Sequence, residues 1–187
     1  AEVYPAQFRY ALMNLVGSHD RARALNILAE KEGAGLTKAE QHALTLTADE
    51  YALAVERYKL CVELLAALPG NPTIYYGDEA GVCGWTDPDS RRTCPWGGEN
   101  LELIEFHRYM SGIRKRCPAF RNGSLKALAA GDGYIAYGRF QSARRAGGAC
   151  CGVTAVNTGD DWLTLKIPVW QIGARDGAVL RREMMTY

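Results

Sequence analysis

Long apolar stretches are missing from this chain of 187 residues. No run approaches the roughly 18 consecutive apolar residues that a membrane-spanning helix needs, so we expect no membrane partner. An excess of one charge is missing as well, because 22 basic and 21 acidic residues leave a formal net charge of +1. Nucleic-acid binding usually requires a basic patch or stripe, and the even balance therefore argues against a nucleic-acid partner.

Cysteine motifs for metal binding are also missing. None of the cysteines forms a Cys-x-x-Cys pair, so we expect no zinc site. We assign no metal ligands among the residues of this chain. We expect most of the cysteines to be free thiols in a reducing compartment, which favours a cytoplasmic location. A secreted protein is the alternative, and in that case Cys83 and Cys94, which share one loop, could pair. The six cysteines are Cys61, Cys83, Cys94, Cys117, Cys150 and Cys151.

The most informative stretch is ALMNLVGSHD, residues 11–20. Six of the seven residues from Ala11 to Gly17 are apolar or glycine, a pattern typical of a strand buried on both faces of a parallel sheet. Polar residues at the carboxyl end of such a strand lie where α/β enzymes carry out their chemistry. His19 and Asp20 are therefore candidate functional residues. A polar turn with a helix cap is the alternative interpretation.

A second strand is predicted at Thr73–Tyr76, and a long helix from Ala48 to Leu68 lies between the two strands. Strands that alternate with helices predict parallel βα units. Asp78 and Glu79 follow the second strand. Because neighbouring side chains of an extended segment point apart, we interpret these two acids as structural residues rather than a catalytic pair.

Helix ends are marked by capping residues. Thr-x-x-Glu capping boxes at Thr37 and Thr47 predict two helix starts. Asn100 can cap a further helix from Leu101 to Arg116. The residues expected on the inner face of the long helix are Leu53, Tyr58, Cys61, Leu64, Leu65 and Leu68.

A long loop over Ala80–Asn100 is rich in Gly, Pro, Trp, Asp and Arg, and loops of this length are usually functional. Asp87 and Arg91 combine a carboxylate acceptor with a forked donor, which suits sugar hydroxyls, although a surface ion pair is the alternative. Trp85 and Trp96 offer flat apolar surfaces that could stack on a sugar ring. Filling the loop is the alternative for Trp96, and stacking or shielding is favoured for Trp85.

The residue pattern changes from Gly123 onward, where short β-rich runs are separated by turn residues. This pattern predicts an antiparallel all-β domain. Gly131-Asp132-Gly133 predicts a hairpin. A later strand is predicted from the alternation of Leu163, Leu165, Ile167 and Val169.

Two motifs make the chain recognisable. NLVGSHD at residues 14–20 and LPGNPTIYYGDEAGVCGWTDPDSRRTCPWG at residues 68–97 resemble the α-amylase family of glycoside hydrolases, especially its neopullulanase, cyclomaltodextrinase and maltogenic amylase branch. The resemblance implies an α/β plus all-β fold. Residues 1–122 would supply the last two βα units of a TIM (β/α)8 barrel, and residues 123–187 an antiparallel C-terminal β-sandwich. We therefore expect this chain to be the C-terminal part of a longer protein.

The resemblance also implies an activity. The family consists of retaining hydrolases of α-glucosidic bonds, here in maltooligosaccharides, cyclodextrins or pullulan. Asp20 matches the catalytic transition-state stabiliser, and the substrate-binding positions match His19, Asp87 and Arg91. The family's nucleophile and acid/base lie on earlier strands, so we expect the parent protein to be an enzyme and this isolated chain to be inactive.

The implied partner is an α-glucan oligosaccharide. No cofactor is implied for these residues, although the full-length protein could bind calcium. Two barrel strands without their neighbours leave unpaired edges, so we expect self-association or association with the missing N-terminal part. The alternative function is a non-catalytic carbohydrate-binding or interaction protein on an amylase-like fold. The intact residues His19, Asp20, Asp87 and Arg91 argue against it.

Overall fold

A computed structural model of the protein describes residues 4–31, 33–141, 150–159 and 161–183. Helices and strands alternate in the first part of the chain, and strands follow one another in the last part. The helices are α1 (Ala6–Ala11), α2 (Ala24–Leu28), α3 (Lys38–Ala43), α4 (Ala48–Ala67), α5 (Leu101–Arg116) and α6 (Pro118–Asn122). The strands are β1 (Met13–Leu15), β2 (Asn71–Thr73), β3 (Ser124–Gly131), β4 (Tyr134–Gln141) and β5 (Cys150–Asn157).

The chain divides into two units. The helical unit contains Met13–Leu65 and Pro72–Met110. The sheet unit contains the described parts of Ala1–Leu12, Ala66–Asn71 and Ser111–Met184. A boundary after residue 122, as the resemblance implies, stays a prediction.

The first two strands are shorter and more exposed than their sequences predict. β1 pairs with β2 in a two-stranded sheet. Met13 and Leu15 are 65% and 48% exposed, so the expectation of a strand buried on both faces is wrong for the described chain. The second strand covers Asn71–Thr73 rather than Thr73–Tyr76. A strand of a parallel sheet is buried by neighbouring strands and covering helices, and among the described residues β1 pairs with β2 alone.

The predicted capping boxes are present in the helical unit. The Thr37 side chain accepts from the Glu40 N–H while the Glu40 side chain accepts from the Thr37 N–H. Thr47 and Glu50 exchange the same pair of hydrogen bonds at the start of α4. These bonds satisfy backbone N–H groups that a helix start otherwise leaves without a partner.

The core of the helical unit lies between α4, α5 and the short α2. The expected inner face of α4 is confirmed at Tyr58, whereas Leu53 is 47% exposed and faces outward. His107 of α5 packs on Tyr58, with ring centroids 5.7 Å apart. The buried residues of this core include Leu25, Ala54, Val55, Tyr58, Val62, Leu103 and Met110.

The sheet unit contains one three-stranded antiparallel sheet in the order β3-β4-β5. The predicted hairpin is present: Gly131 is the register partner of Tyr134, and Gly133 has a φ of 73°. Beneath the sheet, the buried Arg139 guanidinium donates to the carbonyls of Gly123 and Ala67. Burial lowers the pKa of Arg139 to about 10. The described residues thus contain the expected antiparallel sheet but no second sheet that would complete a sandwich.

The predicted strand from Leu163 to Val169 is wrong. Residues 162–168 have no regular secondary structure, and a 3-10 turn follows at Val169–Ile172. Pro168 lacks the N–H that a strand ladder requires, which favours the break. The segment is anchored instead by Ile172, which is buried against Gly138 of β4.

Candidate functional site

The Ser-His-Asp segment follows β1 directly in the helical unit. The His19 Nε2 atom lies 3.1 Å from Asp20 Oδ1, and the two side chains are 56% and 74% exposed. The Asp20 N–H donates to Ser18 Oγ at 3.3 Å. The sequence therefore places an imidazole and a carboxylate side by side and open to solvent. A group that meets a sugar hydroxyl must be accessible in this way.

A buried ion pair between Arg23 and Asp78 lies next to this segment. The Arg23 guanidinium is fully buried and donates to Asp78 Oδ1 at 3.0 Å and to the Tyr76 carbonyl at 2.5 Å. Its Cζ atom lies 4.2 Å from the centre of the Tyr75 ring and 4.7 Å from that of Tyr76. The geometry agrees with the structural role expected for Asp78, and its partner is Arg23.

Electrostatics at this pair are governed by burial. Burial raises the pKa of Asp78 to about 6, although the hydrogen bond and the charge of Arg23 oppose the shift.

Gly17 explains how Asp78 comes so close to the segment that carries His19. A Cβ atom at Gly17 would lie 2.0 Å from Asp78 Oδ2, so only glycine fits there.

The second pair of predicted residues lies on the long loop. The Arg91 Nε–H donates to Asp87 Oδ1 at 2.5 Å, and the two side chains are about half exposed. Asp87 precedes a 3-10 turn, Asp89–Arg91, that places Arg91 on the same face four residues later. The pair forms a carboxylate with a forked donor at the surface of the helical unit.

Asp89 holds this loop in place, and sequence reasoning did not identify it. Its carboxylate accepts from the Trp85 N–H at 2.6 Å and from the Arg92 Nε–H at 2.8 Å, and it lies 2.7 Å from His42 Nδ1. Burial alone would raise the pKa of Asp89, but these three partners hold that pKa below its ordinary value. The only signal in the sequence is the spacing of Asp89 and Arg92 in DPDSRR, which permits an i,i+3 ion pair.

One hydrogen bond connects the segments that carry the two predicted pairs. The Ser90 hydroxyl donates to the His19 carbonyl at 3.3 Å. The Tyr76 hydroxyl donates to the Arg92 carbonyl at 2.9 Å. The segment that carries His19 and Asp20 is thus tied to the loop that carries Asp87 and Arg91. We call these four side chains the rim cluster.

The two tryptophans of the loop have the opposite placement to the one expected. Trp85 is only 6% exposed and donates from its indole N–H to the Leu44 carbonyl at 3.2 Å. Its ring packs on Gly33, where a Cβ atom would lie 2.6 Å from it. Trp85 therefore fills the loop and offers no open face to a sugar, whereas Trp96 is 85% exposed.

Two surface grooves of the helical unit are lined by residues other than the four of the rim cluster. A groove of about 340 Å³ is lined by Tyr51, Cys83, Asp89 and Arg92, among others. Among the described residues, no group of three or more His, Cys, Asp or Glu side chains could hold a metal ion. Within the same part of the chain, no helix is long and apolar enough to cross a membrane.

Known proteins with similar sequences match most of this chain. No family model matches it. It is 41% identical over 138 residues to an amylopullulanase of Thermoanaerobacter thermohydrosulfuricus, which is 74% of this chain and 9% of that protein. It is 33% identical over 131 residues to a cyclomaltodextrinase of Geobacillus thermopakistaniensis, which is 69% of this chain and 18% of that protein. The chain thus spans less than a fifth of the length of these curated relatives.

This chain is also similar to solved structures of enzymes that act on α-glucans. The native debranching enzyme of Nostoc punctiforme matches 96% of this chain and 31% of its own, with a TM-score of 0.70 and 27% identity. The cyclic α-maltosyl-(1→6)-maltose hydrolase of Arthrobacter globiformis matches 74% of this chain and 26% of its own, with a TM-score of 0.56 and 32% identity. The recognition based on the two motifs is confirmed: over about 70% of its length, the chain is a homologue of α-amylase-family glycoside hydrolases.

Proposed function

We propose that this chain is the C-terminal part of a retaining glycoside hydrolase that cleaves α-glucosidic bonds in maltooligosaccharides, cyclodextrins or pullulan. The names of the homologues support this substrate class, since they include amylopullulanase, cyclomaltodextrinase and neopullulanase. The chain spans only a fraction of each relative, so the activity belongs to a longer parent protein.

The observation that carries the proposal is the hydrogen bond from Ser90 to the His19 carbonyl. It ties together the two segments that match the sugar-binding motifs of the family. All four side chains of the rim cluster are at least half exposed, so they are accessible to a ligand. Carboxylates accept from sugar hydroxyls, and the imidazole and guanidinium donate to them.

Each residue of the rim cluster has a role in this mechanism. Retaining glycosidases use a nucleophile and an acid/base about 5 Å apart and pass through a transition state that resembles an oxocarbenium ion. Asp20 would stabilise that developing positive charge more strongly than the neutral substrate, which lowers the barrier. His19 would donate to a hydroxyl of the sugar at the cleavage point. Asp87 and Arg91 would fix the neighbouring sugar unit.

The chain by itself lacks the nucleophile and the acid/base under this proposal. Those groups would come from the preceding barrel strands of the parent protein. The isolated chain should therefore fail to release the chromophore from a chromogenic maltoside above background. Activity above background in the isolated chain would contradict this assignment of roles.

A chimera tests the proposal directly. The matching 31% of the Nostoc punctiforme debranching enzyme is replaced by this chain, and hydrolysis of maltooligosaccharides and pullulan is measured. We expect activity in the chimera and a loss in kcat of about 10²- to 10³-fold in D20N. Asp49→Asn is the matched control, because Asp49 is an exposed acid at the start of α4. A folded chimera that binds maltooligosaccharides without cleaving them would instead favour a non-catalytic sugar-binding protein.

A further inference from the structure

Two cysteines of the sheet unit face each other, and the proposed glycosidase function uses neither. Cys117 connects α5 to α6, and Cys150 is the first residue of β5. Their Sγ atoms lie 3.3 Å apart, although 33 positions separate the two residues in the sequence. Both side chains are partly exposed, so a small reagent can reach them.

Backbone hydrogen bonds and strand pairing fix the positions of Cys117 and Cys150. The Cys117 N–H donates to the Ile113 carbonyl at 3.0 Å, and the Phe120 N–H donates to the Cys117 carbonyl at 3.1 Å. On the other side, Cys150 is the register partner of Gln141 in the β4–β5 ladder. The approach of the two sulfur atoms is therefore set by a helix junction and a sheet register rather than by loose chain ends.

Packing next to the pair fixes the distance between these two elements. Phe120 lies three residues after Cys117, and Gly152 lies two residues after Cys150. A Cβ atom at Gly152 would lie 2.4 Å from the Phe120 ring, so the ring packs directly on the strand backbone. Disulfides need closely spaced backbones with little freedom to move apart, and this packing supplies that condition.

We propose that Cys117 and Cys150 are a disulfide-forming pair that is oxidised by low-molecular-weight disulfides. The other cysteines have different surroundings. Cys61 lies within α4, and the Cys83 thiol lies 3.9 Å from the Gly81 carbonyl. Cys151 follows Cys150 on the strand, where successive side chains point to opposite faces.

The chemistry is two successive thiol–disulfide exchanges. The thiolate of one cysteine attacks a sulfur of the reagent disulfide, whose S–S bond breaks, and one reagent thiolate leaves. The second cysteine, once deprotonated, attacks the protein-bound sulfur of the mixed disulfide, and the second reagent thiolate leaves. Two protein thiols are oxidised, one reagent disulfide is reduced to two thiols, and the two protons pass to the departing thiolates. Burial raises the pKa of the Cys117 thiol, so mildly alkaline buffer favours the exchange.

Peptide mapping tests the pair. The 187-residue chain is incubated with glutathione disulfide at pH 8, once in native buffer and once in guanidinium chloride, and is then alkylated, digested and analysed by mass spectrometry. We expect the peptide that links Cys117 to Cys150 to be the main disulfide-linked product of the native sample. It should be several-fold less abundant in the denatured sample, where other pairings compete.

Matched variants separate this pair from its neighbour. C151S should still give the linked product, whereas C117S and C150S should give only glutathione adducts at the remaining thiols. The oxidised wild type should also unfold at a higher temperature than the reduced form, because the cross-link restricts the unfolded chain. The C117S/C150S variant should show no such rise. The proposal would be overturned by equal pairing in the native and denatured samples. It would also be overturned if C150S linked Cys117 to Cys151 in the yield that the wild type gives for Cys117–Cys150.

Discussion

At the scale of residues, the helical unit contains a buried ion pair between Arg23 and Asp78. Two oppositely charged groups lie 3.0 Å apart with almost no exposure to solvent. Removing charges from water costs several kcal/mol per ion, and the attraction between them offsets that cost only when both are present. The neighbouring aromatic rings of Tyr75 and Tyr76 each add a cation–π contribution to the guanidinium.

Loss of the Arg23 charge should therefore be severe. Arg23→Met leaves the Asp78 carboxylate buried without its partner, and we expect the free energy of unfolding at pH 7 to fall by about 3–5 kcal/mol. Urea denaturation measures the change. The double variant R23M/D78N should recover part of the loss, because it removes the unpaired charge. A loss below about 1 kcal/mol in R23M would contradict the importance of the pair.

Asp78 should also make stability depend on pH. Burial raises its pKa to about 6 in the folded state, above the value of 3.8 expected in the unfolded chain. The folded state therefore keeps this proton to higher pH, and the contribution of Asp78 to the free energy of unfolding is present below about pH 4 and is lost as pH rises through 6. The loss should reach about 3 kcal/mol by pH 7.

The variant D78N isolates this titration from that of other carboxyls. Its amide cannot ionise, so the stability of the wild type relative to D78N should decline between pH 4 and pH 7. Urea denaturation at several pH values measures both proteins. Parallel curves for the two proteins would show that Asp78 titrates normally in the folded state.

Residues of the rim cluster could be located from the sequence because they belong to contiguous motifs. The positions of Asp89 and Trp85 depend on contacts that are distant in the sequence. The buried Trp85 side chain donates a hydrogen bond to the Leu44 carbonyl, 41 positions away in the sequence. Asp89 pairs with His42, which is 47 positions away. Local patterns carry no information about such contacts, so the burial of Trp85 could not be predicted.

At the scale of elements, the cap of α5 connects two helices. Asn100 Oδ1 accepts from the Leu103 N–H at 3.0 Å, and its side-chain amide donates to the Tyr51 hydroxyl of α4 at 3.1 Å. Asn100→Ala removes both bonds, and we expect a loss of about 1–2 kcal/mol in the free energy of unfolding. Asn100→Asp keeps the cap acceptor and should cost less. Chemical denaturation followed by circular dichroism measures both variants, and an N100A protein as stable as the wild type would refute the argument.

Long helices could be predicted from the sequence more accurately than short strands. The bounds of α5 agree with the prediction, and α4 ends one residue earlier than expected. A long helix satisfies its own backbone and repeats its apolar pattern many times. β1 and β2 have three residues each and depend on neighbours elsewhere in the chain. The alternation at 163–169 failed for the same reason, because alternation alone does not supply a pairing partner.

At the scale of the whole molecule, the two-stranded sheet formed by β1 and β2 has an exposed apolar surface. We expect another protein segment to cover this surface. Met13, Leu15, Ile74 and Tyr76 are between 43% and 65% exposed, although such side chains are normally buried in a parallel sheet. A two-stranded pair is marginally stable in water, and its open edges are templates for further strands. In the proposed parent protein, the preceding barrel strands would cover this surface.

The isolated chain should therefore associate with itself through β1 and β2. Sedimentation velocity over a wide range of concentrations should give a sedimentation coefficient that rises with concentration. The variant M13K/L15K places two charges on β1 and should shift the protein towards the monomer, because burying unpaired charges in an interface is costly. Ile27→Lys is the matched control, since Ile27 is 54% exposed on the helix α2, away from both strands in the sequence. A wild-type chain that remains monomeric at every concentration, or an I27K variant that dissociates as much as M13K/L15K, would show that the exposed strands do not drive association.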